Sequence, residues 1–228
     1  MSRCGDIYQN RVTGERAVVL RGDQDGHGQS GLVHLTVQPR GVVVGEHVPP
    51  RFRERFRVIS GRLGSRVDGL ERTLQAGREA VAAVGTAQDW WNAGEDQVLV
   101  EFLPPDPRFE LMIGNLFGLA NAGRTIGRGR PGLLRLVLVG RGFRDVMRFT
   151  RPPRVVQTVL VGLLSLLGRM RGYRGMYGEY SRPQGRPMPA PAVLAAAGLA
   201  PPDDPMRPPR PDRLAEMATA DQHATNVR

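Results

Sequence analysis

Short apolar runs separated by turn residues dominate the first hundred positions of the chain. Ala17–Leu20, Leu32–Val37, Val42–Val44, Phe56–Ile59, Leu63–Val67 and Val98–Phe102 are rich in β-branched or aromatic residues and read as strands. Gly41, Gly61, Gly69 and Gly77 punctuate them, and Asp68-Gly69 is a strong hairpin pair. A series of this kind predicts an antiparallel sandwich or barrel of the jelly-roll type.

The pattern changes at Pro104-Pro105-Asp106-Pro107, which ends the β region. Phe109–Leu119 sets Leu111, Met112, Leu116 and Leu119 at helical spacing. Leu133–Phe149 reads as a second helix, with Leu136, Val139, Phe143, Val146 and Met147 on one side and Arg135, Arg141, Arg144 and Arg148 away from it. Gly140 and Gly142 weaken that helix. Val155–Gly168 is uncharged for 14 residues. As a helix it would run ~21 Å, short of the ~30 Å hydrocarbon layer, so it is expected to pack or to lie on a surface rather than span. From Arg182 to Pro211 there are ten prolines, which predicts an extended or disordered tail, with one short helix at Asp212–Ala224. Asp23–Gly26 reads as an exposed turn.

Two segments carry the candidate chemistry. GVVVGEHVPPRFRERFRVISG has a glycine, five residues, His47, one residue, Pro49, four residues, Glu54, six residues and Gly61. Fifteen residues on, GREAVAAVGTAQDWWN has Gly77, five residues, Ala83, Gly85 two on, Gln88 three after that, and Asn92. Residues at i and i+2 on a strand share a face, so position 49 would point where His47 points.

With no insertion or deletion, this resembles the two signature motifs of the cupin superfamily, G(X)5HXH(X)3–4E(X)6G and G(X)5PXG(X)2H(X)3N. The resemblance implies a single cupin β-barrel over residues 6–104, and the pattern beyond it gives a helical basic extension over 108–180 and a Pro/Ala-rich, disordered tail over 181–228. In that family three histidines and a glutamate hold one iron, manganese, nickel or zinc ion. Here His47 and Glu54 keep their places, while Pro49 and Gln88 stand where histidines are expected. Proline supplies no side-chain donor and Gln88 only an amide oxygen, so the implied metal set of His47, Glu54 and Gln88 is weak. Neighbouring Glu46 and Asp89 would face the other side of their strands, and alternation leaves the direction of His34 open.

A barrel without a strong metal site can still take a small polar ligand. Gln88, Trp90 and Asn92 alternate onto one face, and Phe52 with Glu54 lies on another, a ligand wall of aromatic and polar groups. The alternative for Trp90 or Trp91 is to fill the core or close the barrel mouth. Glu54 is the candidate acid or base for any metal-free chemistry. The leading function is therefore a small-ligand-binding cupin with a degraded divalent-metal site. The alternatives are a metal-dependent cupin enzyme of oxygenase or isomerase type, and a membrane-surface or partner-docking module using the C-terminal helices.

Charge sharpens the last alternative. The formal net charge is +10, and every one of the 32 basic residues is arginine. Residues 1–122 carry 14 arginines against 15 acids, whereas 123–186 carry 14 against only Asp145 and Glu179, a net of +12. Within 133–180, the arginines flanking the apolar helix at Val155–Gly168 would attract anionic lipid. They alternate with aliphatic runs rather than with polar and aromatic residues, so nucleic-acid binding is not expected. Cys4 is the one cysteine, which excludes an intrachain disulfide. MSRCGDIYQN has no secretory apolar core, so a cytoplasmic location is the expectation, with the inner face of the membrane as its alternative and a homodimer as a further expectation implied by the family.

Overall fold

The computed structural model describes residues 2–22, 31–41, 45–103, 107–127, 129–151 and 154–199, with the side chains of Pro107 and Arg154 left aside. Val42–Val44, Asp23–Gly26, Pro104–Asp106 and the predicted helix at 212–224 lie outside those residues.

Ten strands form the body: β1 (Ile7–Gln9), β2 (Arg16–Arg21), β3 (Leu32–Val37), β4 (His47–Val48), β5 (Glu54–Ser60), β6 (Arg62–Val67), β7 (Leu70–Gln75), β8 (Glu79–Ala82), β9 (Gln88–Asn92) and β10 (Val98–Leu103). They are followed by α1 (Pro107–Asn121), a hairpin of β11 (Thr125–Ile126) and β12 (Arg130–Pro131), α2 (Leu133–Gly142), β13 (Arg148–Phe149), α3 (Arg154–Met170) and α4 (Pro191–Ala196). One sheet runs β1-β2-β3-β10-β5-β8 and the other β13-β4-β9-β6-β7, with every pairing antiparallel. These two sheets face one another as a jelly roll.

Alternation decides the faces. Val33, Leu35 and Val37 of β3 enter the core with Phe56, Val58, Val98, Val100 and Phe102, so His34 points outward. There His34 Nε2 lies 3.6 Å from a Glu101 carboxylate that also accepts from Arg57 at 2.9 Å, an outer-face cluster removed from the barrel interior. The β6–β7 hairpin turns through Asp68 and Gly69, both at positive φ (52° and 76°), as a two-residue turn that matches strand twist requires. Gly64 of β6 is required by a neighbour, since a Cβ there would sit 2.3 Å from the Trp91 ring. Trp91 thus lies flat on the outer side of β6 beneath Arg66, while Trp90 turns inward.

The core continues into the extension. Trp90, Phe56, Phe102 and Phe109 form a chain of ring contacts with centroids 5.0, 5.0 and 4.8 Å apart, linking both sheets to α1. Each such pair adds about 0.5–1.5 kcal/mol beyond burial. Met112, Ile113 and Phe117 of α1, Val139 of α2, and Phe143, Val146 and Met147 join the same cluster. Among the described residues, the barrel strands and the helices after them therefore share one hydrophobic core.

Two sequence expectations change. The helix predicted over Leu133–Phe149 stops at Gly142, and Arg148–Phe149 becomes a strand on the open edge of β4, pairing Arg148 with Val48 and Phe149 with His47. Apolar spacing ran through this segment, but sheet pairing wins over helical periodicity once the glycines have ended the helix. The proline-rich segment, expected to be extended or disordered, forms the short helix α4 within its described part and packs on the body. Ile7 donates to the Gly185 carbonyl at 3.0 Å, and Leu194 of α4 is buried with Cys4, Leu20 and Leu32.

Candidate functional site

β4 and β9 set His47 opposite Gln88, and β5 brings Glu54 across from the other sheet. All three side chains are 1 % exposed. The Gln88 amide nitrogen donates to Glu54 Oε2 and lies 3.4 Å from His47 Nε2, while His47 Nε2 stands 3.5 Å from Glu54 Oε2. The positions expected to converge do so. Sequence spacing, alternation and sheet order agree on one constellation inside one jelly roll. The barrel has the cupin fold.

Several solved structures are similar to it. KdgF from Halomonas sp. matches over 45% of this chain and 89% of its own, at 17% identity and a TM-score of 0.38. A Cupin_2 domain of an XRE family transcriptional regulator from Enterobacter cloacae matches over 39% and 93%, at 22% identity and a TM-score of 0.34. A predicted oxalate decarboxylase from Thermotoga maritima matches over 45% and 93%, at 15% identity and a TM-score of 0.37. No family model and no curated protein matches the chain.

The cupin site does not fit a transition metal. His47 Nδ1 faces the Gly45 carbonyl at 2.9 Å, which makes that nitrogen the donor and turns Nε2 inward. A carboxylate oxygen demands a donor, so it is the NH2 of Gln88 that points to the centre, carrying hydrogens where a ligand would offer a lone pair. Pro49 is buried and contributes only its carbonyl, which accepts from Gly85 at 2.9 Å. Among the described residues no group of three His, Cys, Asp or Glu side chains could hold a metal ion. One imidazole and one carboxylate are instead bridged by an amide. Burial pushes the His47 imidazole down. The hydrogen bond to Glu54, its charge, the Gly45 carbonyl and Asp89 together outweigh that and leave it above the ordinary value.

Glu46 and Asp89 lie off the centre. Glu46 accepts from Thr150, and Asp89 stands 3.9 Å from Arg66, its carboxyl raised chiefly by burial. The anticipated ligand wall is occupied by structure. Trp90 fills the core against Phe56, and Phe52 packs partly buried on the same cluster. Asn92 donates to the Val37 and Asp96 carbonyls at 2.9 and 2.8 Å and accepts from Gly94, so it locks a turn. Two oxygens, Glu54 Oε1 and Gln88 Oε1, are buried without a partner among the described residues.

The extension holds a second feature, which the sequence showed as an uncharged run flanked by arginines. α3 packs Ser165 and Gly168 inward, Gly168 against Leu138 of α2. Val155, Val159, Leu163, Leu166 and Met170, spaced four, four, three and four apart, are 58–78% exposed on the opposite face. Val156, Leu160 and Leu167 widen that face. A cavity of about 440 Å³ opens beside it between α2 and the end of α3.

Proposed function

We propose that this protein is a surface-docking module, in which a metal-independent cupin barrel carries the α2–α3 layer onto an anionic lipid surface. The observation that carries this reading is the solvent-facing apolar stripe of α3. Soluble chains rarely leave a contiguous patch of that kind uncovered. A Leu or Val moved fully out of water gains roughly 1.5–3 kcal/mol, and an arginine near an anionic surface adds about 1 kcal/mol. Exposed Arg151, Arg169 and Arg171 flank the helix along the chain, and exposed Arg141, Arg144 and Arg148 precede it. Charge selects the occupant. A second copy would bring two segments of net +12 together, whereas anionic lipid complements them. At 17 residues α3 is about 26 Å long, and among the described residues no helix is long and apolar enough to cross a membrane. The helix therefore lies in the interface, held at its start by Gln157 donating to the Phe149 carbonyl of β13. Co-sedimentation of the full chain with phosphatidylglycerol-containing vesicles tests this. Binding to those vesicles and not to phosphatidylcholine alone is expected, and equal recovery with both contradicts it.

A second reading, a small polar ligand inside the barrel, is favoured by the unpartnered Glu54 and Gln88 oxygens. Such a ligand would present hydrogen-bond donors to both. Native mass spectrometry of the full chain tests it, since a bound small molecule lost in Glu54→Gln supports the reading and its absence from the parent removes it.

A further inference from the structure

We infer that the cavity between α2 and α3 binds a phosphomonoester headgroup carried on a lipid, an inference that rests on the docking reading and deepens it. Leu138, Arg141, Arg169, Tyr173, Arg174 and Gly175 line the cavity. Three arginines thus line one half-open space. None of the three has a carboxylate partner among the described residues, and the nearby Asp145 is taken by Arg108 at 3.0 Å. Like charges gathered in this way repel until a counter-charge arrives, and planar guanidiniums match phosphate oxygens in pairs.

The arrangement is built by packing rather than left to loose side chains. Gly168 and Gly175 both approach Leu138 so closely that a Cβ would stand 2.8 Å from its side chain and 2.6 Å from its carbonyl oxygen. Those two contacts bring the end of α3 and the loop after it onto α2, setting Arg169 and Arg174 across from Arg141. The Arg174 backbone N–H donates to the Tyr177 hydroxyl at 3.0 Å, which holds the loop, and Arg135 stacks 4.1 Å from the Tyr173 ring centre, which fixes that wall. A phosphomonoester carries close to two negative charges near neutral pH, a phosphodiester one. Three unpaired arginines suit the former. The lipid source follows from position, because Arg169 adjoins exposed Met170 and lies within a turn of Leu166. A headgroup in the cavity would leave its acyl chains along the apolar stripe.

The test compares the full chain on phosphatidylcholine vesicles containing phosphatidic acid or, at matched surface charge, phosphatidylglycerol. Alongside it run a triple variant of the cavity (Arg141→Gln, Arg169→Gln, Arg174→Gln) and a control triple outside it (Arg144→Gln, Arg148→Gln, Arg151→Gln), both checked by circular dichroism. Phosphatidic acid is expected to bind roughly tenfold tighter, about 1.4 kcal/mol. The cavity triple should lose that preference, and the control triple should weaken both lipids alike. Equal binding to both lipids, or equal loss of preference in both triples, overturns the headgroup site while leaving surface docking intact. Binding to neither vesicle overturns docking and the lipid source together. Titration with glycerol 3-phosphate separates the remaining case: if it saturates the cavity with no vesicle bound, the ligand is a soluble phosphate and the lipid assignment is wrong.

Discussion

His47 Nε2 and Glu54 Oε2 lie 3.5 Å apart, one from each sheet, with both side chains 1 % exposed. A histidine held in this way titrates as part of the fold. Its folded value is raised, so the stabilisation is complete below the unfolded value near 6.5 and is lost as pH rises through the folded one. His34 behaves in the opposite sense. Burial lowers it more than Glu101 raises it, so stability is lost as pH falls from about 6.5 through its folded value. The histidine contribution should therefore peak near pH 6.5. Denaturant midpoints against pH check this: His47→Asn should flatten the alkaline limb and His34→Gln the acid one. An unchanged alkaline limb in His47→Asn would show that the pair is not coupled.

Gln88 occupies the centre with hydrogens, so the parent should take up no stoichiometric iron, manganese, nickel or zinc. Gln88→His replaces that NH2 with an imidazole lone pair and gives two imidazoles and a carboxylate, a set suited to such ions. Added Zn²⁺ or Ni²⁺ is expected to raise the melting temperature of the variant and leave the parent unmoved. Tight metal in the purified parent would falsify the misfit.

Removing one member of the buried set leaves the others unsatisfied. Gln88→Leu takes the donor from a buried carboxylate and should cost roughly 1.5–3 kcal/mol. Glu54→Leu together with Gln88→Leu should cost less than the two single changes summed, because the Glu54–Gln88 hydrogen bond can be lost only once and neither side chain is left orphaned by the other. Strict additivity in chemical denaturation would mean that the two side chains do not interact.

Gly64→Ala pushes a methyl into the Trp91 ring, where a Cβ would stand at 2.3 Å. Overpacking of this kind costs about 1–3 kcal/mol. Trp91→Leu in the same chain should recover most of that loss, and failure of the rescue would place the strain elsewhere.

The barrel was legible because strand periodicity is short-range, and its polar centre because the resemblance to the cupin motifs singled out His47, Glu54 and Gln88. What fills the space was not. Trp90 was rightly placed on the inward face, but only the contacts with Phe56 and Phe102 show that it packs the core. β13 was illegible for a different reason. Arg148 and Phe149 continue a helical apolar pattern and become a strand only through pairing with β4, a contact about a hundred residues distant. Leu194, isolated among alanines and prolines, gave no local sign of its burial with Leu20 and Leu32. The α3 stripe was visible as an uncharged run, and its solvent-facing side emerged only once Gly168 met α2.

Placing a dye at the apolar stripe tests surface docking most directly. In a Cys4→Ala background, Leu163→Cys and, as a control on the far barrel strand, Leu70→Cys each carry one environment-sensitive fluorophore. Both positions are about equally exposed, at 60% and 64%. On mixing with phosphatidylglycerol-containing vesicles, the probe at 163 should shift to the blue and the probe at 70 should not. No shift at 163, or the same shift at both, would contradict docking through α3.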